Sequence, residues 1–192
     1  MATMTANQTE GTWAITTRVI VYGAIGAALY AVANWTTFAI QIPGTQEVAV
    51  RPHFGLVTFF GFAFGPVVGF LTGFVGNAVG DQLAYGDGFS FWHWSVANGL
   101  AGLIAGLAGA MLVGRAMSSG NRALMAAVAG VVGVVIGFLF IWIELITQPE
   151  LGFNTILTGE YIPTVIANSI AAAIVTPILV LAWEPLREQL GR

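Results

Sequence analysis

The residues of this chain that could do chemistry are amides, carboxylates, histidines and tryptophans, and they fall at a few recurring places. Asn77, Asp81 and Tyr85 follow one another at intervals of four, so on a helix they form one slowly drifting stripe. Trp92–His93–Trp94 comes next, with Asn98 one turn beyond Trp94; Trp142, Glu144 and Gln148 close a later apolar run, and Tyr161, Thr164 and Asn168 open the last one. Indoles stack on a flat heterocycle while amides, carboxyls and imidazoles fix its polar edges, the composition of a small-molecule pocket. Asn34, near the end of the first apolar run, is counted with this set.

Other chemistries are poorly served. His53 and His93 are the only histidines, and with Asp81 or Glu144 they can be drawn as a metal site, but they lack the i, i+4 spacing that makes such a signal specific. No G-x-S-x-G or H-E-x-x-H motif occurs. Without cysteine there is no thiolate nucleophile, disulfide or thiolate metal site. A phosphate-binding G-x-x-x-x-G-K-[ST] loop needs a lysine, and the chain has none, so energy for any transport must come from partners or an ion gradient. No enzymatic activity and no cofactor is expected. A net charge of −3, a pI near 5.2 and the lack of a basic run argue against nucleic acid as a partner.

The elements that must position these residues are membrane helices. Of 192 residues 57% are hydrophobic and 8% charged, with a mean hydropathy of +0.83, and six basic and nine acidic residues cannot clothe a fold of this size in water. A crossing takes roughly 20 apolar residues. The spans expected are 17–40, a hairpin within 48–83 divided at Gly65–Pro66, then 92–113, 123–147 and 161–183: an all-α integral membrane bundle of six transmembrane helices in a single domain. Residues 1–15, with no basic residue before the first apolar run, are expected to form a flexible tail. Residues 41–52, broken by Pro43 and Gly44, form a loop outside the hydrocarbon.

Arginine distribution orients the bundle. With the N-terminus in the cytoplasm, Arg18, Arg115, Arg122, Arg187 and Arg192 all fall inside and Arg51 alone outside, which places both termini in the cytoplasm. The polar and aromatic set then gathers at the outer level. An interfacial belt with snorkelling polar groups is the plain alternative for each residue, but a belt would show on both sides, and the inner ends offer Trp183 and little else. An outward-opening cavity accounts for the asymmetry. Glycines at four-residue intervals (Gly61, Gly65, Gly69, Gly73) mark close helix contacts, and Ala24 and Ala28 form a flat patch on the first helix, fit for packing within the chain or against another subunit.

Against this background the chain resembles the substrate-capture (S) components of energy-coupling-factor (ECF) transporters over essentially its whole length. The segment from Phe59 to Phe74 is similar to the FGPxxGxxxG hairpin of that family, Gly76–Asp81 and Trp92–Ser95 are similar to a poorly characterised branch of it, and Ala24 and Ala28 match its A-x-x-x-A motif. The resemblance implies a multi-pass protein of the prokaryotic plasma membrane that binds a vitamin or vitamin precursor near the outer face under the loop after the first helix, with Gln41, Glu47, Arg51 and His53 at the lid or rim. It implies a membrane coupling subunit, contacted through Ala24 and Ala28, and two cytosolic ATPase subunits as partners. Substrate-binding candidates are therefore Asn34, Gln41, Glu47, Arg51, His53, Asn77, Asp81, Trp92, His93, Trp94, Asn98, Trp142, Glu144 and Asn168.

Two other readings remain open. A self-sufficient ion-coupled transporter would use Asp81 and Glu144 to carry its ion. An intramembrane enzyme would use His53 and His93 with carboxylates. The carboxylate surplus at the outer face favours a neutral or cationic ligand over an anionic one.

Overall fold

The structure, a computed structural model, describes residues 11–36, 40–46 and 48–189; Glu47, residues 1–10 of the expected tail and Arg192 lie outside them. It is helical apart from one two-residue pairing: α1 (Thr17–Thr36), β1 (Ile40–Gln41), β2 (Ala49–Val50), a 3-10 turn (Pro52–Phe54) leading into α2 (Gly55–Phe64), α3 (Pro66–Tyr85), α4 (Trp92–Met111), α5 (Ser119–Gly137), a 3-10 segment (Phe138–Ile143), α6 (Glu144–Thr147), α7 (Gly152–Thr155), a π segment (Ile156–Tyr161) and α8 (Ile162–Gln189). The loop expected after the first helix is thus partly a small antiparallel hairpin, with Ile40 opposite Val50 and Gln41 opposite Ala49.

The polarity of the molecule is inverted relative to a water-soluble fold. Ile162, Ile166, Ile170, Ile174 and Ile178 recur every four residues along α8 and are 41–58% exposed, while Thr58, Thr72, Asn77, His93, Asn98, Glu144 and Thr176 are buried. Such an arrangement is stable when hydrocarbon surrounds the isoleucines and every buried polar group finds a partner. The buried hydroxyls of Thr58 and Thr176, 2.5 Å apart, join α2 to α8 in this way. Among the described residues, four continuous helical runs have the length and apolar composition to cross a membrane: Thr17–Thr36, Trp92–Met111, Ser119–Thr147 and Gly152–Arg187. The shorter apolar run Pro52–Phe64 spans about 20 Å at 1.5 Å per residue, less than a hydrocarbon core of about 30 Å.

That short helix is the hub of the bundle. α2 packs against α1, α3, α4, α5 and α8, with seven of its ten residues buried. The reversal from α2 into α3 is made at Gly65, whose φ of +106° is unfavourable for a residue with a Cβ, and Pro66 starts α3 at the first-turn position where its missing N–H costs nothing. The four-residue glycine rows bring α2 and α3 onto α4 backbone to backbone: a Cβ at Gly61 or Gly69 would fall on the Gly102 carbonyl oxygen, and one at Gly73 on that of Asn98. This spacing sets the distance between the Asn77 stripe of α3 and the Trp94–Asn98 turn of α4.

The last two spans depart from ideal α-helix where the polar residues sit. Phe138–Ile143 tightens to 3-10 geometry, in which residues three apart eclipse. Phe138, Ile141 and Glu144 therefore lie on one line, and all three are buried. The final span starts at Gly152 rather than near Tyr161, as expected from the sequence, because the chain stays helical through the π turn that precedes Pro163. Glu160, expected in an outer loop, is consequently 5% exposed inside the bundle.

Candidate ligand-binding site

A cavity of about 330 Å³ opens among α3, α4, the Phe138–Thr147 segment, the start of α8 and the β1–β2 hairpin. Its first wall is built outward from Asp81. The Asp81 carboxylate accepts from Asn77 Nδ2 at 2.7 Å and from Asn34 Nδ2 at 3.3 Å, so α1 and α3 both hold it. Asn77 also donates to Ser95 Oγ at 3.1 Å and accepts from Arg51 Nη1 at 3.2 Å. One amide thereby links the stripe on α3, the turn on α4 and the base of the hairpin. Arg51 stands beside Asp81 and the Tyr30 hydroxyl. Tyr30, fully buried, donates to Asn98 Oδ1 at 2.9 Å, and Asn98 Nδ2 donates to the Trp94 carbonyl at 2.7 Å.

The second wall centres on Glu144. Trp94 Nε1 donates to Glu144 Oε1 at 3.1 Å, His93 Nε2 contacts the same oxygen from behind, and the Glu160 carboxyl faces it. Thr164 and Asn168 continue this wall along α8, about one and two turns beyond Glu160. Phe138 lines the cavity between the walls, with ring centroids 5.8 Å from Phe54 and 6.1 Å from Trp94.

The hairpin supplies Gln46, Val48 and Ala49 to the lining. It is tied to the bundle where Gln46 N–H donates to the Gly159 carbonyl at 2.9 Å. In a regular helix that carbonyl would accept from the residue four positions on, which is Pro163 and has no N–H. A proline in the last span thus leaves an acceptor open for the hairpin. Beyond α3, Asp87 closes the turn into α4: its carboxylate accepts from the Ser90 hydroxyl and from the amides of Phe89 and Ser90, which together hold its pKa below the ordinary aspartate value.

Of the residues singled out from sequence, Arg51, Asn77, Asp81, Trp94, Asn98, Glu144 and Asn168 line this one cavity. Asn34 and His93 stand behind it, holding Asp81 and Glu144. His53 is buried with its ring 5.3 Å from that of Tyr30. Gln41 is exposed in β1. Trp92 is 40% exposed on the outside, edge-on to Phe140, and Trp142 packs against Phe153 and Tyr161; neither lines the cavity. Glu47 lies outside the described residues. The lining also includes Gln46, Tyr85, Phe91, Gln148, Glu160 and Thr164, of which Tyr85, Gln148 and Thr164 belong to the outer-level stripes read from the sequence. Among the described residues no three His, Asp or Glu side chains converge as a metal site.

Comparison with known proteins gives this geometry a family. A UPF0397 protein of Streptococcus gordonii (strain Challis) is 39% identical over 92 residues, covering 48% of this chain and 47% of the relative. UPF0397 proteins of Lactobacillus gasseri and Lactobacillus johnsonii are 43% and 42% identical over 89 residues, in each case 46% of this chain and 45% of the relative. The chain therefore spans about half the length of the curated relatives it matches. No solved structure matches it. The family model described as "ECF-type riboflavin transporter, S component" matches residues 14–184, nearly the whole of a chain already seen to bury a polar cavity in an apolar helical bundle, and the protein belongs to that family of membrane-embedded transporter components.

Proposed function

We propose that this chain is the capture subunit of an ECF-type importer, binding a vitamin or heterocyclic vitamin precursor with high affinity at the outer face of the cell membrane and performing no catalysis. The observation that carries the reading is the cavity itself: polar and aromatic side chains from five segments converge on about 330 Å³, at the compact end of small-molecule sites. In a bundle bounded by lipid, a polar hollow of this kind has no packing purpose. Arg51, Asn77, Asp81, Trp94, Asn98, Glu144 and Asn168 are the ligand-contacting set, with Asn34 and His93 positioning two of the carboxylates. The β1–β2 hairpin acts as the lid.

In this reading the α2–α3 hairpin completes six crossings, and both termini face the cytoplasm, as the arginine distribution requires. Ligand release into the cell is powered by two cytosolic ATPases through a membrane coupling subunit. Ala24 and Ala28, exposed on α1 beside Ile25 and Leu29, are the contact for that subunit, since small residues let a second helix approach closely.

The test is mass spectrometry of small molecules released from the detergent-purified chain, followed by titration of what is found, with riboflavin, named in the family's description, first in the panel. A stoichiometric heterocycle whose affinity falls in Asn98→Ala and Arg51→Ala supports capture. An empty protein that binds no vitamin, yet transports alone under a proton or sodium gradient, refutes it.

A further inference from the structure

The two walls of the cavity differ in how their hydrogen-bonding capacity is met. On the first, Arg51, Asn77, Asp81 and Asn98 are tied to one another or to backbone. On the second, the Glu144 and Glu160 carboxyls hydrogen-bond each other, and Glu144 Oε2, Glu160 Oε2 and Thr164 Oγ1 are buried in the cavity lining with no other hydrogen-bonding group at them among the described residues. The three side chains are 1%, 5% and 5% exposed. A buried carboxylate oxygen without an N–H donor is costly, and Oε2 of each of the two facing carboxyls lacks one among the described residues. The cavity lining as a whole sets three carboxyls, Asp81, Glu144 and Glu160, against one basic residue, Arg51, and Arg51 stands on the opposite wall beside Asp81.

We infer that the Glu144–Glu160–Thr164 wall is the seat of a cationic, N–H-bearing nitrogen, so that the ligand is a compact heterocycle carrying an amidinium, protonated amino-heterocycle or primary ammonium group bridged between Glu144 Oε2 and Glu160 Oε2. Charge-assisted N–H donors are what carboxylate oxygens in a low-dielectric pocket favour most. Among the described residues no group of three His, Asp or Glu side chains forms a metal site, and the His93 imidazole is already engaged by Glu144 Oε1, so an organic cation fits the wall better than a metal ion. Trp94, held by Glu144 Oε1, stands where a flat ring attached to that nitrogen would stack. The inference rests on the capture reading above and adds to it the charge and orientation of the ligand.

The experiment titrates the full chain in detergent at pH 7 with benzamidine and with benzamide, which share a shape but differ in charge. It is run on the native protein, on Glu160→Gln and on Asp87→Asn, an exposed loop control, and any copurified molecule is identified by mass spectrometry. Benzamidine is expected to bind at least about tenfold more tightly than benzamide. That preference should vanish in Glu160→Gln and persist in Asp87→Asn. Glu160→Gln supplies an amide donor to Glu144 and should keep or raise the unfolding temperature, which separates loss of the cation seat from loss of fold. Equal binding of the two probes, or a preference surviving in Glu160→Gln, overturns the cation seat. A copurified heterocycle that is neutral or anionic and bound equally well by Glu160→Gln overturns the cation seat while leaving capture intact. A native chain that binds neither probe and yields no bound molecule overturns both.

Discussion

Trp94→Phe isolates one hydrogen bond in the cavity wall. The substitution keeps an aromatic ring against Phe138, now at 6.1 Å between centroids, and removes the Nε1–H that reaches Glu144 Oε1 at 3.1 Å. A neutral donor to a charged acceptor is worth about 1.5–3 kcal/mol. The separation is toward the long end for N–H···O, and His93 still contacts the same oxygen, so the lower figure applies, about 1.5 kcal/mol. The freed carboxylate must be reordered when ligand binds, and the dissociation constant should rise about tenfold. Trp92→Phe is the matched control, because that indole is 40% exposed and lines no part of the cavity; its effect should stay within about twofold. The assay is a calorimetric titration of the ligand recovered from the native chain. Equal effects of the two substitutions, or none from Trp94→Phe, would refute the assignment of Glu144 and Trp94 to one hydrogen-bonded wall.

Other consequences can be measured separately. In Gly73→Ala the new methyl falls on the Asn98 carbonyl oxygen, whereas at Gly120 nothing lies within 4 Å; the first should cost about 1–3 kcal/mol and weaken ligand binding, the second neither, as read by thermal unfolding and titration. Pro163→Ala restores an N–H that competes with Gln46 for the Gly159 carbonyl, and ligand dissociation should quicken roughly fivefold, the kinetic equivalent of one ordinary hydrogen bond. The lowered Asp87 pKa means that its turn is stabilised above the ordinary aspartate value and loses that support as the pH falls through the folded value. Amide exchange at Phe89 and Ser90 should therefore be slow at neutral pH and fast in acid, and Asp87→Asn should flatten the dependence. Ala24→Leu with Ala28→Leu should abolish co-purification with the coupling subunit and leave ligand titration unchanged; loss of both would instead place the pair inside the fold.

The residues legible in the sequence were those for which lipid leaves few alternatives. A polar side chain at membrane depth must face the interior, so the four-residue interval of Asn77 and Asp81, and the positions of Asn98, Glu144 and Asn168 within apolar runs, were enough to put them in one cavity. Phase within a helix was harder to read. Trp92 and Trp94 look alike at the start of α4, yet two residues turn a helix by roughly 200°, and only the hydrogen bond of Trp94 to Glu144, 50 residues away, distinguishes inside from outside. Tyr30 was invisible for a related reason. In a run of alanines it reads as a lipid-facing tyrosine, and its reason for burial is Asn98, 68 residues further on.

The second wall was hidden by departures from α geometry. Gly159–Glu160 lies between Thr158 and Pro163, a composition that reads as loop, and a straight extrapolation puts Glu160 in water. The π segment instead carries the helix through, with the Ile162 amide reaching back to the Leu157 carbonyl. That extra residue in the turn swings Glu160 inward, and the 3-10 segment before Glu144 lines it up below Phe138 and Ile141 to meet it. Both departures fall on residues of one wall, and π turns inside helices gather at functional sites. Pro163, which deprives Gly159 of its ordinary helical donor, leaves the carbonyl that the hairpin uses. The same short stretch of chain thus places a carboxyl in the cavity and accepts the backbone hydrogen bond from Gln46 of the hairpin, so the proposed lid and the proposed Glu144–Glu160 seat are connected through residues 159–163.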